Sequence, residues 1–294
     1  MRVGVVGHRG YETVPDVLRT LGRLAPSLGF EVFLERDLLD RGDGAPLADH
    51  LDEIDLLMTL GGDGTVLRGA RLLGGRQVPL LGINLGRLGF LTCCRADEFE
   101  TAIRRVASGD FLAQPRMMLD VRALDADKRE RQRWGALNDA VLHKGGFARV
   151  VSLRVWVDEE LIASYAADGL VISTPTGSTG YSLSAGGPVV VPTVESIILT
   201  PISPHTLAIR PLVLPPTGEV IVQAMDSPEE LLVTIDGQVG TTFAGGETLS
   251  VHRGPNPVLL VRFAETTFFS RMRRKLGWGG LAGRDNGNDG EAGC

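Results

Sequence analysis

Apolar residues fall into two regimes along the chain, and the change between them comes near residue 117. In the first regime, continuous apolar runs at residues 2–6, 30–34, 54–60 and 79–84 alternate with stretches such as Val14, Val17, Leu18, Leu21 and Leu24, where apolar positions recur every three or four residues. Continuous runs suit strands buried on both faces, and the wider spacing suits one face of a helix, so a parallel, helix-covered sheet is predicted. Further helices are expected over 66–73 and 99–106. Beyond Met118 the period becomes two, at 119–124, 152–157, 219–223, 231–235 and 258–263, with Gly, Pro and Asp clusters between the runs. That alternation predicts an antiparallel, sandwich-like domain. The expected architecture is an α/β domain over 1–117, an all-β sandwich-like domain over 118–270, and a tail over 271–294. The tail is basic, then glycine-rich, and too poor in apolar residues to join a core, so it is expected to be disordered.

Composition alters this picture at a few points. Glycine is abundant, 38 of 294 residues, about twice the usual ~7%, so the backbone must turn tightly or approach something closely in many places. Thirty Lys and Arg against 36 Asp and Glu leave a net charge of −6. This argues against a general nucleic-acid binder, while a local basic pocket for a small anion remains open. No apolar run reaches the ~18 residues of a membrane span, and residues 1–10 are too broken by glycine and charge for a signal peptide. A cytoplasmic location without membrane contact is expected. Cys93, Cys94 and Cys294 offer neither a disulfide framework nor a metal pair, and the five histidines lack ligand spacing, so no protein-held metal is assigned.

Four motifs carry chemistry. Gly61-Gly62-Asp63-Gly64-Thr65 follows an expected buried strand and precedes an expected helix. Such glycines bring backbone N–H groups to a phosphate, and the helix start adds partial positive charge. Asp63 could then act as general base for a hydroxyl or orient a metal ion; a tight turn with Asp63 capping the helix fits the same residues. The run from Gly82 to Phe90 again follows a strand, so Arg87 could meet a phosphate and Phe90 could wall a pocket, or Phe90 could simply fill the core. Asn138 and Asp139 read as a strand end or bulge carrying two hydrogen-bonding groups suited to sugar hydroxyls, with an ordinary polar turn as the alternative. The densest block runs from Asp168 to Pro188 and includes Ser-Thr-Pro-Thr-Gly-Ser-Thr-Gly-Tyr-Ser-Leu-Ser. There Ser178 and Thr179 are expected to cap a helix carrying Tyr181 and Ser184, which suits an anion or a nucleobase. Pro201–Thr206 and Asp236-Gly237-Gln238 complete the set, each a turn when taken alone.

In this order and spacing the motifs resemble those of the NAD kinases over roughly residues 55 to 240. GGDGT by itself is shared with diacylglycerol-type lipid kinases and 6-phosphofructokinases. The resemblance implies a Rossmann-like first domain of the GGDG kinase type and transfer of a terminal phosphoryl group from ATP, or polyphosphate, to the 2′-hydroxyl of the adenosine ribose of NAD, giving NADP. It implies Asp63 as general base, Mg²⁺ or another divalent cation, and a homodimer or homotetramer. It also implies a binding set of Gly62, Asp63, Gly64, Arg68, Phe90, Asn138, Asp139, Arg149, Ala166, Asp168, Thr179, Gly180, Tyr181, Ser182, Leu183, Ser184 and Gln238. Asp139 stands where the family has glutamate, one methylene longer, and Gly180 where alanine is common. Asp168 matches an aspartate associated with adenine recognition, often across a subunit interface. Ala166 can contribute only backbone. A lipid or sphingoid kinase of the same superfamily is the alternative, weakened by the lack of an amphipathic segment outside the tail. A non-catalytic NAD(H) sensor is weakened by the intact Asp63. No Walker-type sequence appears, which excludes a P-loop kinase.

Overall fold

A computed structural model describes residues 1–145, 150–206, 208–225 and 231–278. The first sheet runs in the order Ala45–Pro46, Glu31–Leu34, Arg2–Gly7, Leu56–Gly61, Leu80–Asn84, Val258–Arg262, Leu112–Arg116, with Cys94–Arg95 also paired to Leu80–Asn84. Its strands are parallel except for Leu112–Arg116, which runs antiparallel to Val258–Arg262. Leu56–Gly61 and Leu80–Asn84 are buried at every position, as continuous apolar runs between helices require.

Helices α1 (Val14–Leu28), α2 (Asp63–Leu73) and α3 (Phe99–Ala107) cover this sheet with the apolar faces that their spacing predicts, Val17, Leu18, Leu21 and Leu24 from α1 and Val66, Ala70 and Leu73 from α2. Because α2 begins directly after Leu56–Gly61, Asp63 stands at the carboxyl edge of the sheet, where open α/β folds bind their ligands.

The second half forms two six-stranded antiparallel sheets. One has the order Leu212–Leu214, Ile197–Ile202, Gly169–Ser173, Asp139–Lys144, Leu231–Ile235, Val239–Phe243; the other, Glu160–Ala167, Val151–Val157, Val220–Ala224, Thr248–Arg253, Leu119–Leu124, Glu130–Ala136. Inward residues of both, among them Leu142, Ile172, Val233, Leu153 and Val251, share one core.

Two expectations from the sequence change. The run ending at Arg262, read with the second domain, closes the first sheet instead: Leu260 pairs with Leu80. An apolar period of two marks a strand without naming its partner. Arg271, read as the start of the tail, lies inside a helix, α4 (Tyr181–Ser184) being followed by α5 (Phe268–Leu276), and is buried. The backbone carbonyls of Gly89, Phe90, Thr92 and Cys93 accept its guanidinium, which compensates the buried charge. The remainder of the expected tail, 279–294, lies outside the described residues.

Candidate active site

Asp63 is the first residue of α2, and its carboxylate does not cap its own helix; no side-chain cap forms there. It turns to the loop after Leu80–Asn84, where Oδ2 accepts the N–H of Phe90 at 2.7 Å and Oδ1 accepts those of Leu91 and Thr92 at 2.9 and 3.3 Å. Gly89 permits this approach, since a Cβ there would lie 1.9 Å from Asp63 Oδ1. A carboxylate offers about four acceptor positions. Three are filled by N–H groups, so one remains for an incoming hydroxyl.

Beside Asp63 a cavity of about 340 Å³ is lined by His8, Gly10, Tyr11, Gly62, Gly64, Thr65, Arg68 and Gln238. Arg68 donates bidentately to Glu35 and to the Gly7 carbonyl at 2.7 Å, so its charge is already engaged at the cavity wall. His8, Gly10 and Tyr11 are not among the residues expected from the sequence, and Thr65 belongs to the expected Gly61–Thr65 motif though not to the expected binding set. Gly7-His8-Arg9-Gly10 directly after the first strand was the available signal, because it too sits at the carboxyl edge of the sheet.

The second half reaches this site through Gln238, whose Nε2 donates to the Gly64 carbonyl at 2.5 Å. Two residues earlier Asp236, at φ 52°, accepts the N–H groups of Leu137, Asn138 and Asp139 at 3.1, 2.7 and 3.1 Å. The expected Asn-Asp pair is therefore a strand end: Asn138 precedes Asp139–Lys144, and both residues are held by the turn that carries Gln238. Asn138 Oδ1 is buried without a hydrogen-bond partner among the described residues. Asp139 is 4% exposed, and no donor among the described residues is paired with its carboxyl group. Burial, and secondarily the negative charge of Asp236, push that carboxyl up to about 7. Burial also raises Asp236, against the lowering effect of its three N–H bonds and of Arg71. Two unmet acceptors side by side suit donors on a ligand, as sugar hydroxyls are.

The glycine- and serine-rich block packs directly on this pair. A Cβ on Gly177 would lie 2.0 Å from the Asn138 carbonyl oxygen, and one on Gly180 would lie 3.4 Å from Asn138 Nδ2 and 3.8 Å from Asp139 Oδ2. The expected capping by Ser178 and Thr179 does not form. Their hydroxyls bond to the Pro175 and Thr176 carbonyls at 2.7 and 3.2 Å, and a single turn, α4, follows Gly180. Hydroxyls so close to a carbonyl three residues back satisfy it and leave the N–H groups beyond free of side-chain caps. Tyr181 and Ser184 are exposed and Leu183 is half-buried, whereas Ser182 is buried against the Thr200 hydroxyl at 2.9 Å. Phe90 is also buried, its ring 6.2 Å from that of Phe268 and 5.0 Å from Lys275 Nζ, so its backbone rather than its ring serves Asp63.

Asp168 and Ala166 stand apart from this cluster. Asp139 pairs with Ser173 and His143 with Gly169, which puts Asp168 ~17 Å along the strands from Asp139 at the usual rise per residue. There it forms an ion pair with Lys144 at 2.7 Å, and the Ala166 carbonyl accepts the His205 N–H at 2.9 Å. Arg149 lies outside the described residues. Among the described residues no three ligating side chains converge as a metal site, and three of Asp63's acceptor positions are occupied. Asp63 keeps one acceptor position, and a magnesium ion needs only one or two carboxylates besides substrate phosphates and water.

Comparison with known proteins agrees with this geometry. The model of the ATP-NAD kinase N-terminal domain matches residues 43–111, and that of the C-terminal domain matches residues 137–263. The NAD kinase of Gemmatimonas aurantiaca is 64% identical over 97% of this chain and 99% of its own, and that of Solibacter usitatus is 39% identical over 91% and 93%. Among solved structures, yeast NADH kinase complexed with NADH superposes with a TM-score of 0.88 at 27% identity, covering 98% of this chain and 90% of that one. An NAD kinase from Archaeoglobus fulgidus in complex with ATP gives 0.72 at 28% identity, covering 94% and 98%. Both domain models in chain order, and a relative this similar from end to end, establish that the chain belongs to the NAD kinase family.

Proposed function

We propose that this enzyme transfers the terminal phosphoryl group of MgATP to the 2′-hydroxyl of the adenosine ribose of NAD, forming NADP, with Asp63 as general base. The observation that carries this reading is the linkage of Asp63 to two unmet acceptors. Gln238 ties Gly64 to the turn whose Asp236 holds Asn138 and Asp139.

A ribose hydroxyl is a weak nucleophile, so it must be aligned and must lose its proton as the bond to phosphorus forms. Asn138 and Asp139 accept from the ribose hydroxyls and fix the sugar. The remaining acceptor position of Asp63 takes the 2′-proton, while the N–H groups at the start of α2 and the glycines around it face the donor phosphates. The cation on ATP offsets phosphate charge. Tyr181, Ser184 and Gly180 border the dinucleotide beside Asn138.

Asp168, being ~17 Å from Asp139 within the chain, is assigned to a neighbouring subunit's site, in a cytoplasmic homodimer or homotetramer. The test is incubation of the purified protein with NAD or NADH, ATP and Mg²⁺, with NADP or NADPH read out enzymatically. Product is expected from wild type, and Asp63→Asn should lose ~10²–10⁴ in kcat with NAD binding retained. An Asp63→Asn variant keeping more than a tenth of wild-type kcat removes Asp63 from the base role.

A further inference from the structure

Arg262 and Arg271 are 7% and 6% exposed, and among the described residues neither forms an ion pair. Burying an unpaired guanidinium is costly unless other groups solvate it. Here one loop does so. Arg262 donates to the carbonyls of Phe90 at 3.0 Å and of Leu91 and Thr92 at 2.9 Å. Arg271 donates to those of Gly89 at 3.4 Å, Phe90 at 3.2 Å, Cys93 at 3.4 Å, and Thr92.

Three of these peptide units are the ones whose N–H groups bind Asp63. The Gly89 carbonyl belongs to the same unit as the Phe90 N–H, the Phe90 carbonyl to that of Leu91, and the Leu91 carbonyl to that of Thr92. Each unit therefore has its oxygen on a guanidinium and its N–H on the carboxylate. Dipoles held between opposite charges polarise one another and strengthen both ends. Burial pushes both arginines down, and Cys93 and, after it, Asp63 oppose that push at both.

We infer that Arg262 and Arg271 are positioning residues for phosphoryl transfer, which act through the peptide units from Gly89 to Thr92 to aim the Asp63 carboxylate. This rests on Asp63 being the base. The other charged and titratable groups around Asp63 and the two arginines include Arg116, Arg274, Cys93 and Cys94, Lys275 over the Phe90 ring, Arg87 on the loop, and, on the open side, His8, Tyr11 and the Arg68–Glu35 pair.

The test is the pH profile of kcat/KM for NAD, recorded in an Asp139→Asn background so that this carboxyl group adds no limb of its own. Arg262→Gln and Arg271→Gln each remove a counter-charge from the ionised base, so the acid limb should move to higher pH by about half a unit or more. Arg271→Lys keeps the charge with fewer donors. It should leave the limb in place while kcat falls, which ties a limb shift in the Gln variants to the lost charge; if one Gln variant fails to fold, the other carries the same test. A purely structural role would lower kcat or thermal stability with the limb fixed in every variant, and that result overturns the inference. Asp63→Asn separates the two levels: if it stays active, the base reading fails whatever the arginine variants do. If it is inactive and the limbs do not move, only the arginine proposal fails.

Discussion

Asp139→Asn should remove from the protein's stability the component that the wild type loses as pH rises from about 4 to 7. The wild-type carboxyl, 4% exposed and beside Asp236, stands at about 7 in the folded chain against an ordinary 3.8. Between those values the native state holds a proton that the unfolded chain has released. The native state's advantage is therefore complete below pH ~4, drains away as pH rises toward 7, and is flat above it. At ~1.4 kcal/mol per pH unit, the gap corresponds to a ceiling of about 4 kcal/mol. The amide that replaces the carboxyl cannot ionise, so the variant escapes that loss. Urea midpoints, or melting temperatures at about 2–4 °C per kcal/mol, should be compared at pH 5 and pH 8. Wild type is expected to fall relative to Asp139→Asn by at least ~1.4 kcal/mol. Parallel curves for the two proteins would refute the argument, because they would mean that Asp139 is ionised in the fold at no cost.

Gly89→Ala would place a Cβ 1.9 Å from Asp63 Oδ1 and should lower kcat by at least about tenfold, or ~1.4 kcal/mol of barrier, with an unchanged circular dichroism spectrum. Gly177→Ala meets the Asn138 carbonyl at 2.0 Å; thermal unfolding should show a loss of ~1–3 kcal/mol, and KM for NAD should rise. Asp139→Ala should weaken NAD binding or turnover at least about tenfold while Asp139→Glu is better tolerated; NAD kinetics unchanged from wild type in both would end the ribose assignment. Light scattering should find a dimer or tetramer at assay concentration, and an active monomer would return Asp168 to a role within its own chain.

Much of the site was legible because its parts are local. A glycine run directly after a buried strand reports both the strand edge and the nearby helix start; the expected loop before a helix at 66 becomes, in the structure, a helix that begins at Asp63 itself. The Asn138–Asp139 pair at a strand end and the turn at Asp236 follow from the same kind of signal. What escaped was long-range. Arg262 bonds to a carbonyl 170 residues away, and no period in the sequence around either arginine marks it as buried. The return of Val258–Arg262 to the first sheet was hidden for the same reason, since its apolar alternation is that of any half-buried strand. Ser178 and Thr179 misled as helix caps because their hydroxyls had nearer carbonyls to satisfy.

The return of that strand also has a meaning in time. During synthesis the residues of Leu80–Asn84 and the loop that grips Asp63 leave the ribosome long before Val258–Arg262 and α5, which supply the neighbouring strand and both guanidiniums. A nascent chain can bury the apolar face of its first helices early. Its glycine loop, though, has no guanidinium behind its carbonyls until Val258–Arg262 and α5 emerge, so a chain terminated before them carries the GGDG sequence without the electrostatic frame that holds Asp63.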